Sequence, residues 1–297
     1  MIPKTEKFSG GKPFFGGQRT FSPRPPSKKA IKVIVSCHLQ VVCHIENILR
    51  KEEIKMPVSV TVWNEDCAAE SKQEVLAVYP QGVLGAVAAI YENQPEFTVR
   101  TAWLSQEEAG LTEEVLDDTD ILVWWGHCKH SKVPDEIVTR VQQRVLRGMG
   151  LLVLHSGHES KIMQRLLGTQ CSLRWHENKD KERIFVIEPA HPIMRGVPAW
   201  FELEAEEMYG ERFDIPAPDA LLGIGWYESG DVFRSACCFN RGYGKIFYFQ
   251  PGHETLRSYY NPNVQLILRN AARWAARDRA LDRPLGSEFA PPLEEKK

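Results

Sequence analysis

Three observations predict an α/β protein with a mostly parallel sheet, helices on its faces and extra strands in its second half. Short β-branched runs alternate with helix-period segments from Met56 to Leu167. Two of these runs, Asp120–Trp125 and Leu151–Leu154, are apolar throughout, the pattern of strands buried on both faces. Further strand runs follow, the last two joined by the tight turn Arg241-Gly242-Tyr243-Gly244.

The elements follow in order. Val58–Trp63 reads as the first strand, ended by Asn64-Glu65-Asp66. Gly82–Tyr91 carries small and apolar residues at helical spacing, and Phe97–Trp103 is a second strand. Thr112 opens a turn into the strand at Asp120–Trp125. Pro134–Arg147 is a helix with Ile137, Val138, Val141 and Val145 on one side, stopped by Gly148–Gly150. Leu151–Leu154 is the next strand and Glu159–Leu167 the next helix. This order demands crossover connections and therefore parallel pairing. Arg183–Glu188, Ala220–Trp226, Val232–Phe239 and Lys245–Gln250 are the later strands, and Val264–Ala276 is the closing helix. Pro284–Lys297 reads as a frayed tail within a C-terminal segment, 281–297.

Composition sets the outer limits. With 297 residues, 43% of them apolar and 26% charged, the chain is an ordinary globular one, not disordered throughout. A net charge of −2 gives no footing for nucleic acid, and no apolar stretch of membrane-spanning length stands out. Seven cysteines without a CxxC pair suggest reduced thiols and a cytoplasmic protein.

The charge is unevenly spread. Residues 1–55 hold 11 Lys/Arg against 4 Asp/Glu, and the rest of the chain holds 26 against 35. The break falls at Met56. Lys51-Glu52-Glu53 can be encoded as AAG-GAG-GAG, which contains a bacterial ribosome-binding core two codons before Met56. Residues 1–55 are therefore expected to be an extension that is disordered or a translated, non-native leader, in preference to a basic arm for nucleic acid, with the main domain spanning 56–280.

Histidines mark the strand ends. Trp124-Trp125-Gly126-His127-Cys128-Lys129-His130, Leu154-His155-Ser156-Gly157-His158-Glu159 and Phe249-Gln250-Pro251-Gly252-His253-Glu254 each follow a strand run. Five of the nine histidines fall in these loops. Ligands bind beyond the carboxyl ends of parallel strands, and imidazole there serves either metal binding or proton transfer. A carboxylate cluster adds Glu202, Glu204, Glu206 and Glu207 ahead of a Tyr209-Gly210 turn. Glu202 and Glu204 fit a solvated strand face, whereas Glu206 or Glu207 could serve as base, ligand or sugar acceptor. Trp124, Trp125, Trp175 and Trp226 offer flat faces for a sugar ring or pack in the core. Cys128 could be reactive or a small filler, and Cys237-Cys238 are packing residues.

The run Asp120–His130, the elbow Leu154-His155-Ser156-Gly157-His158, the segment Glu206–Gly210 and the run Gly244–Glu254 together resemble the ThuA, trehalose-utilization, family. The likeness covers about Met56 to Ala276. It implies a flavodoxin-like fold similar to class I glutamine amidotransferases, in which a Cys-x-Gly-His elbow carries the nucleophile. Here His155 holds that position, so glutaminase chemistry is not expected.

The resemblance implies an enzyme of small carbohydrates acting by hydrolysis, elimination or isomerisation of a keto-disaccharide. On this reading His155, Glu206, Glu207 and Tyr209 are catalytic, and Trp125, His130, His158 and Glu254 bind substrate or orient other groups. His127, His155 and His253 would hold a divalent metal, Zn or Mn. A homo-oligomer is compatible with this. The alternatives are a non-catalytic sugar-binding or regulatory protein and, less compatible with the vacant elbow, a cysteine-dependent enzyme. N-terminal sequencing of the native protein is expected to find a start at Met56; a mature start near Met1 would refute the leader.

Overall fold

The computed structural model describes residues 56–65 and 72–279. The expected leader and the C-terminal segment lie outside them.

Among the described residues, nine strands form one sheet in the order β2-β1-β3-β4-β9-β8-β7-β5-β6. Its first half is parallel: β1 (Val58–Asn64), β2 (Phe97–Trp103), β3 (Ile121–Trp125), β4 (Gly150–Leu154) and β9 (Gly244–Phe249). Beyond β9 the sheet continues antiparallel through β8 (Val232–Arg241), β7 (Ala220–Tyr227), β5 (Arg174–Val186) and β6 (Trp200–Gly210). The helices are α1 (Gln73–Val78), α2 (Gly82–Glu92), α3 (Glu113–Asp117), α4 (Asp135–Leu146), α5 (Lys161–Leu167) and α6 (Pro262–Ala275).

Side-chain alternation divides the core between the two faces of the sheet. Ile121, Val123, Leu152 and Leu154 pack with Val83 and Val87 of α2 and Ile267, Leu268 and Ala271 of α6. Leu122, Trp124, Leu151 and Val153 pack with Val138, Val141 and Val145 of α4 and Ile162 and Met163 of α5. Every residue of β3 and β4 is buried, as their unbroken apolar runs require.

Four expectations need correction. The Tyr209-Gly210 turn is absent because β6 continues through Gly210, paired with Arg174. β5 begins at Arg174, nine residues before the expected start at Arg183; its polar first half is held by pairing with β6, not by an apolar face. The turn after Thr112 is a helix, α3, capped by the Thr112 hydroxyl accepting from Val115 N–H. The span Gln73–Glu92 is long and apolar enough to cross a membrane, which the composition argument overlooked. Here it is two helices broken around Tyr79, with Val75, Val83, Val87 and Tyr91 in the core.

Gly150, which starts β4, lets α6 close on the sheet: a Cβ there would lie 2.4 Å from the Ala275 carbonyl oxygen and 2.5 Å from Ile121 Cδ1. Gly150→Ala is therefore expected to lower stability by about 1–3 kcal/mol through overpacking. A urea midpoint equal to that of the wild type would contradict this close approach.

Candidate functional site

The loops after β3, β4 and β9 meet. The His127 and His155 rings are 6.2 Å apart, His127 and His253 6.0 Å, and His155 and His253 5.5 Å. Parallel pairing aligns the carboxyl ends of these neighbouring strands, which brings distant histidines together. β6 reaches the same place from the other end of the sheet order and adds Glu206, Glu207 and Tyr209.

His155 occupies the elbow at φ +51°, a left-handed conformation costly for a side chain with a Cβ. Its ring is fully buried and sits against the Tyr209 ring. Nδ1–H donates to the Gln250 carbonyl at 3.2 Å, which leaves Nε2 as a lone pair. That lone pair lies 3.2 Å from Glu207 Oε2. Burial and the nearby His127 hold His155 neutral, with its pKa down to about 3. Burial lifts Glu207 to about 7, against the pull of His253 and His127.

His127 completes one side. Its Nδ1 is 3.1 Å from Ser156 Oγ and its Nε2 3.4 Å from Glu254 Oε1. His253 differs in its proton placement. Its Nδ1 accepts from Thr255 N–H at 3.2 Å, so the neutral ring carries its proton on Nε2. Burial and the neighbouring His155 lower the His253 pKa. For Glu254, burial acts upward but is outweighed by His253 and His127, which hold it below its ordinary value.

Two overlapping groups have ligand atoms within 4.8 Å of one another: His127, His155 and Glu254, and His155, Glu207 and His253. The donor chemistry suits a divalent cation, since imidazole and carboxylate converge and His155 Nε2 and Glu254 Oε2 are buried without hydrogen-bond partners.

Glu206 and Glu207, equivalent in sequence, part company in space. Glu206 is fully buried and accepts from Glu207 N–H at 3.0 Å, Gly252 N–H at 3.1 Å, His253 N–H at 3.3 Å and the Ser258 hydroxyl. Its carboxylate is spent on fixing the loop that carries His253, although burial raises its pKa to about 7. Glu207 lines the cavity instead, with His127, Ser156, Tyr209, Trp175 and Glu177. At about 110 Å³ this cavity equals only a few waters at roughly 30 Å³ each. A larger groove of about 620 Å³ lies beside Asp135, Lys161 and Arg165 and includes none of the clustered histidines.

Of the remaining expected residues, His158 also lines the cavity, whereas Trp125 and His130 do not. Trp125 is buried beneath His127 and His155 and donates Nε1–H to the Gly252 carbonyl, so it supports the site and offers no free face. His158 donates Nδ1–H to the Cys171 carbonyl at 2.8 Å inside a cage of Tyr209, Phe213 and Tyr248. His130 Nδ1 lies 2.7 Å from Glu65 Oε1. Cys171, Cys237 and Cys238 are free thiols and buried.

Sequence reasoning missed Glu65, which it treated as a strand terminator. The Glu65 carboxylate is fully buried and accepts from the N–H groups of His127, Cys128 and Lys129 at 2.9, 2.8 and 2.6 Å. Burial acts to raise its pKa, but His130 and these amides outweigh it and leave it lowered. Its signal was an acid at the end of the first parallel strand, where ligand loops gather. Glu177, whose Oε1 is 3.8 Å from His253 Nε2, was missed because it lies in a polar stretch that gave no strand signal.

Burial also takes His158 down to about 3. Its ring stays neutral when folded but gains a proton when unfolded, so its contribution to stability is lost as pH falls from about 6.5 towards 3. Urea unfolding in the presence of chelator between about pH 4 and 7 should show this loss, and His158→Phe should flatten it. Equal slopes in the two proteins would count against the assignment.

Comparisons with known proteins give the family and the fold. A family model described as ThuA, trehalose utilisation, matches residues 59–275. A ThuA-like protein from Parabacteroides merdae ATCC 43184 superimposes with a TM-score of 0.56 at 15% identity, covering 74% of this chain and 90% of that one. A ThuA-like protein from Bacteroides uniformis ATCC 8492 does so with a TM-score of 0.54 at 14% identity, covering 74% and 92%. No curated protein matches the chain. With most of its length matched by the family model, this chain belongs to the ThuA, trehalose utilisation, family.

Proposed function

We propose that the protein is an enzyme acting on the keto form of trehalose or a related disaccharide, with Glu207, His155 and His253 at the reacting atoms. One observation carries the reading: the His155 Nε2 lone pair faces Glu207 Oε2 at 3.2 Å, both buried. Two acceptors at that distance need a shared proton or a cation between them. A group pair of this kind, poised near neutrality by burial, is suited to proton transfer. The strand order β2-β1-β3-β4-β9 supports a flavodoxin-like, glutamine amidotransferase-like assignment for the parallel half.

A ketone next to a sugar C–H acidifies it. In a 3-keto-glycoside, the Glu207 carboxylate takes the C2 proton and the C–H electron pair moves into an enediolate. Collapse of the enediolate breaks the bond from C1 to the glycosidic oxygen. That oxygen takes the proton that Glu207 gained from C2, which returns Glu207 to its carboxylate, while His253 Nε2–H, the tautomer fixed by Thr255 N–H, donates a hydrogen bond to the departing oxygen. Water adding to the resulting enone completes hydrolysis. His253, with Nε2 protonated, is thus better suited to donating a hydrogen bond than to binding a metal, which leaves His127, His155 and Glu254 to hold a Zn or Mn ion. Such an ion supplies positive charge to the ketone oxygen. Tyr209 backs the His155 ring, and Trp175, 56% exposed at the rim, presents the flat face that Trp125 does not. The small cavity admits the reacting end of a sugar and leaves the rest of a disaccharide outside.

The test uses the full chain, stripped with chelator, and 3-keto-trehalose. Turnover is expected to return with Zn²⁺ or Mn²⁺, and Glu207→Gln should lower kcat by about 10²–10⁴-fold. Absence of product with any keto-disaccharide, with or without metal, would overturn the enzymatic reading. Thermal stabilisation by sugar without product would instead support a binding or regulatory protein.

A further inference from the structure

Among the described residues, one face of the antiparallel half of the sheet is uncovered and carries large apolar side chains. Phe185, Ile187, Trp200, Trp226 and Val232 are between 37% and 50% exposed. Residues directly opposite across strands share a face. Phe185 stands opposite Trp200 on β6 and Ile224 on β7. Arg183 stands opposite Glu202 and Trp226, and Trp226 opposite Val232. These side chains therefore form one contiguous patch, where single exposed apolar residues would need no explanation. The Arg183 guanidinium lies 4.7 Å from the Trp200 ring centre and 5.9 Å from that of Trp226.

We propose that a second copy of this chain docks on this face. The charges on the patch are self-complementary. Lys181 and Arg183 form a cationic column on β5, and Glu202 and Glu204 an anionic column on β6. A two-fold axis along the strands, between the columns, sets each copy's cations against the other's carboxylates, as an isologous interface requires. Tryptophan and arginine are also the residue types that dominate protein–protein contacts. Balanced charge removes the case for a nucleic acid or a strongly acidic partner. Arg183 packs against the Trp200 ring, which takes an indole face that a sugar would need. The acids on β6 oppose pairing through the strand edge and leave the face as the contact. The same two strands carry Trp175, Glu177, Glu207 and Tyr209, so docking would brace the walls of the cavity.

Sedimentation velocity of the full chain at about 100 μM, well above a micromolar dissociation constant, should give a dimer. Trp200→Glu/Trp226→Glu and Arg183→Glu should each give monomers with an unchanged melting temperature. Arg183→Glu combined with Glu202→Arg, which exchanges the columns locally, should restore the dimer. Hydroxyl-radical footprinting of the wild type provides a check that needs no variant: oxidation of Trp200 and Trp226 should fall several-fold from dilute to concentrated protein. A wild-type monomer, a dimer that survives the double tryptophan replacement in a folded protein, or footprints independent of concentration would each overturn the proposal. A monomer whose Trp200 and Trp226 are protected only by added trehalose would overturn it in favour of a sugar surface.

Discussion

Two buried carboxylates, neither of them facing the cavity, hold the site together. Glu206 ties β6 to the loop after β9 through the N–H groups of Gly252 and His253, and Glu65 ties the end of β1 to the loop after β3 through three successive N–H groups. A loop that turns away from a sheet leaves backbone donors without partners, and burying them unpaired costs about 1–3 kcal/mol each. A carboxylate satisfies several donors at once, and the donors compensate the loss of its hydration. This exchange lets His127 and His253 stand on irregular backbone beside a fixed His155.

The electrostatics follow from that frame. Among the described cavity-lining residues there is no Lys or Arg, so the clustered acids and imidazoles share protons with one another. Burial favours the neutral form of each, which pulls His155 down and pushes Glu207 up. The outcome is a lone pair and a carboxyl held together and poised near neutral pH. The hydrogen bonds from His155 to Gln250 and from Thr255 to His253 give the two rings opposite tautomers. Chemically identical side chains thereby acquire different tasks.

Much of the site was visible as pattern. Glycine–histidine loops after apolar strands located His127, His155 and His253, because a parallel sheet places all its carboxyl ends on one side. The division between Glu206 and Glu207 was not visible. Adjacent residues on a strand point to opposite faces, but a sequence does not say which face holds the cavity. Glu65 and Glu177 escaped for a related reason: they reach the site through pairings between segments far apart in the chain.

For the fold, local sequence was enough where the hydrophobic period was strong. β3, β4, α4 and α6 follow from runs whose burial is written in their composition. It was insufficient along β5 and β6, where polar residues become strand because a neighbouring strand supplies their hydrogen bonds. The amino-acid order by itself determined which segments are apolar enough to be interior strands and which residues could carry chemistry at their ends. Only the tertiary structure decided which nitrogen keeps its proton and which carboxylate is spent on backbone, because those depend on partners that the chain brings together only by folding.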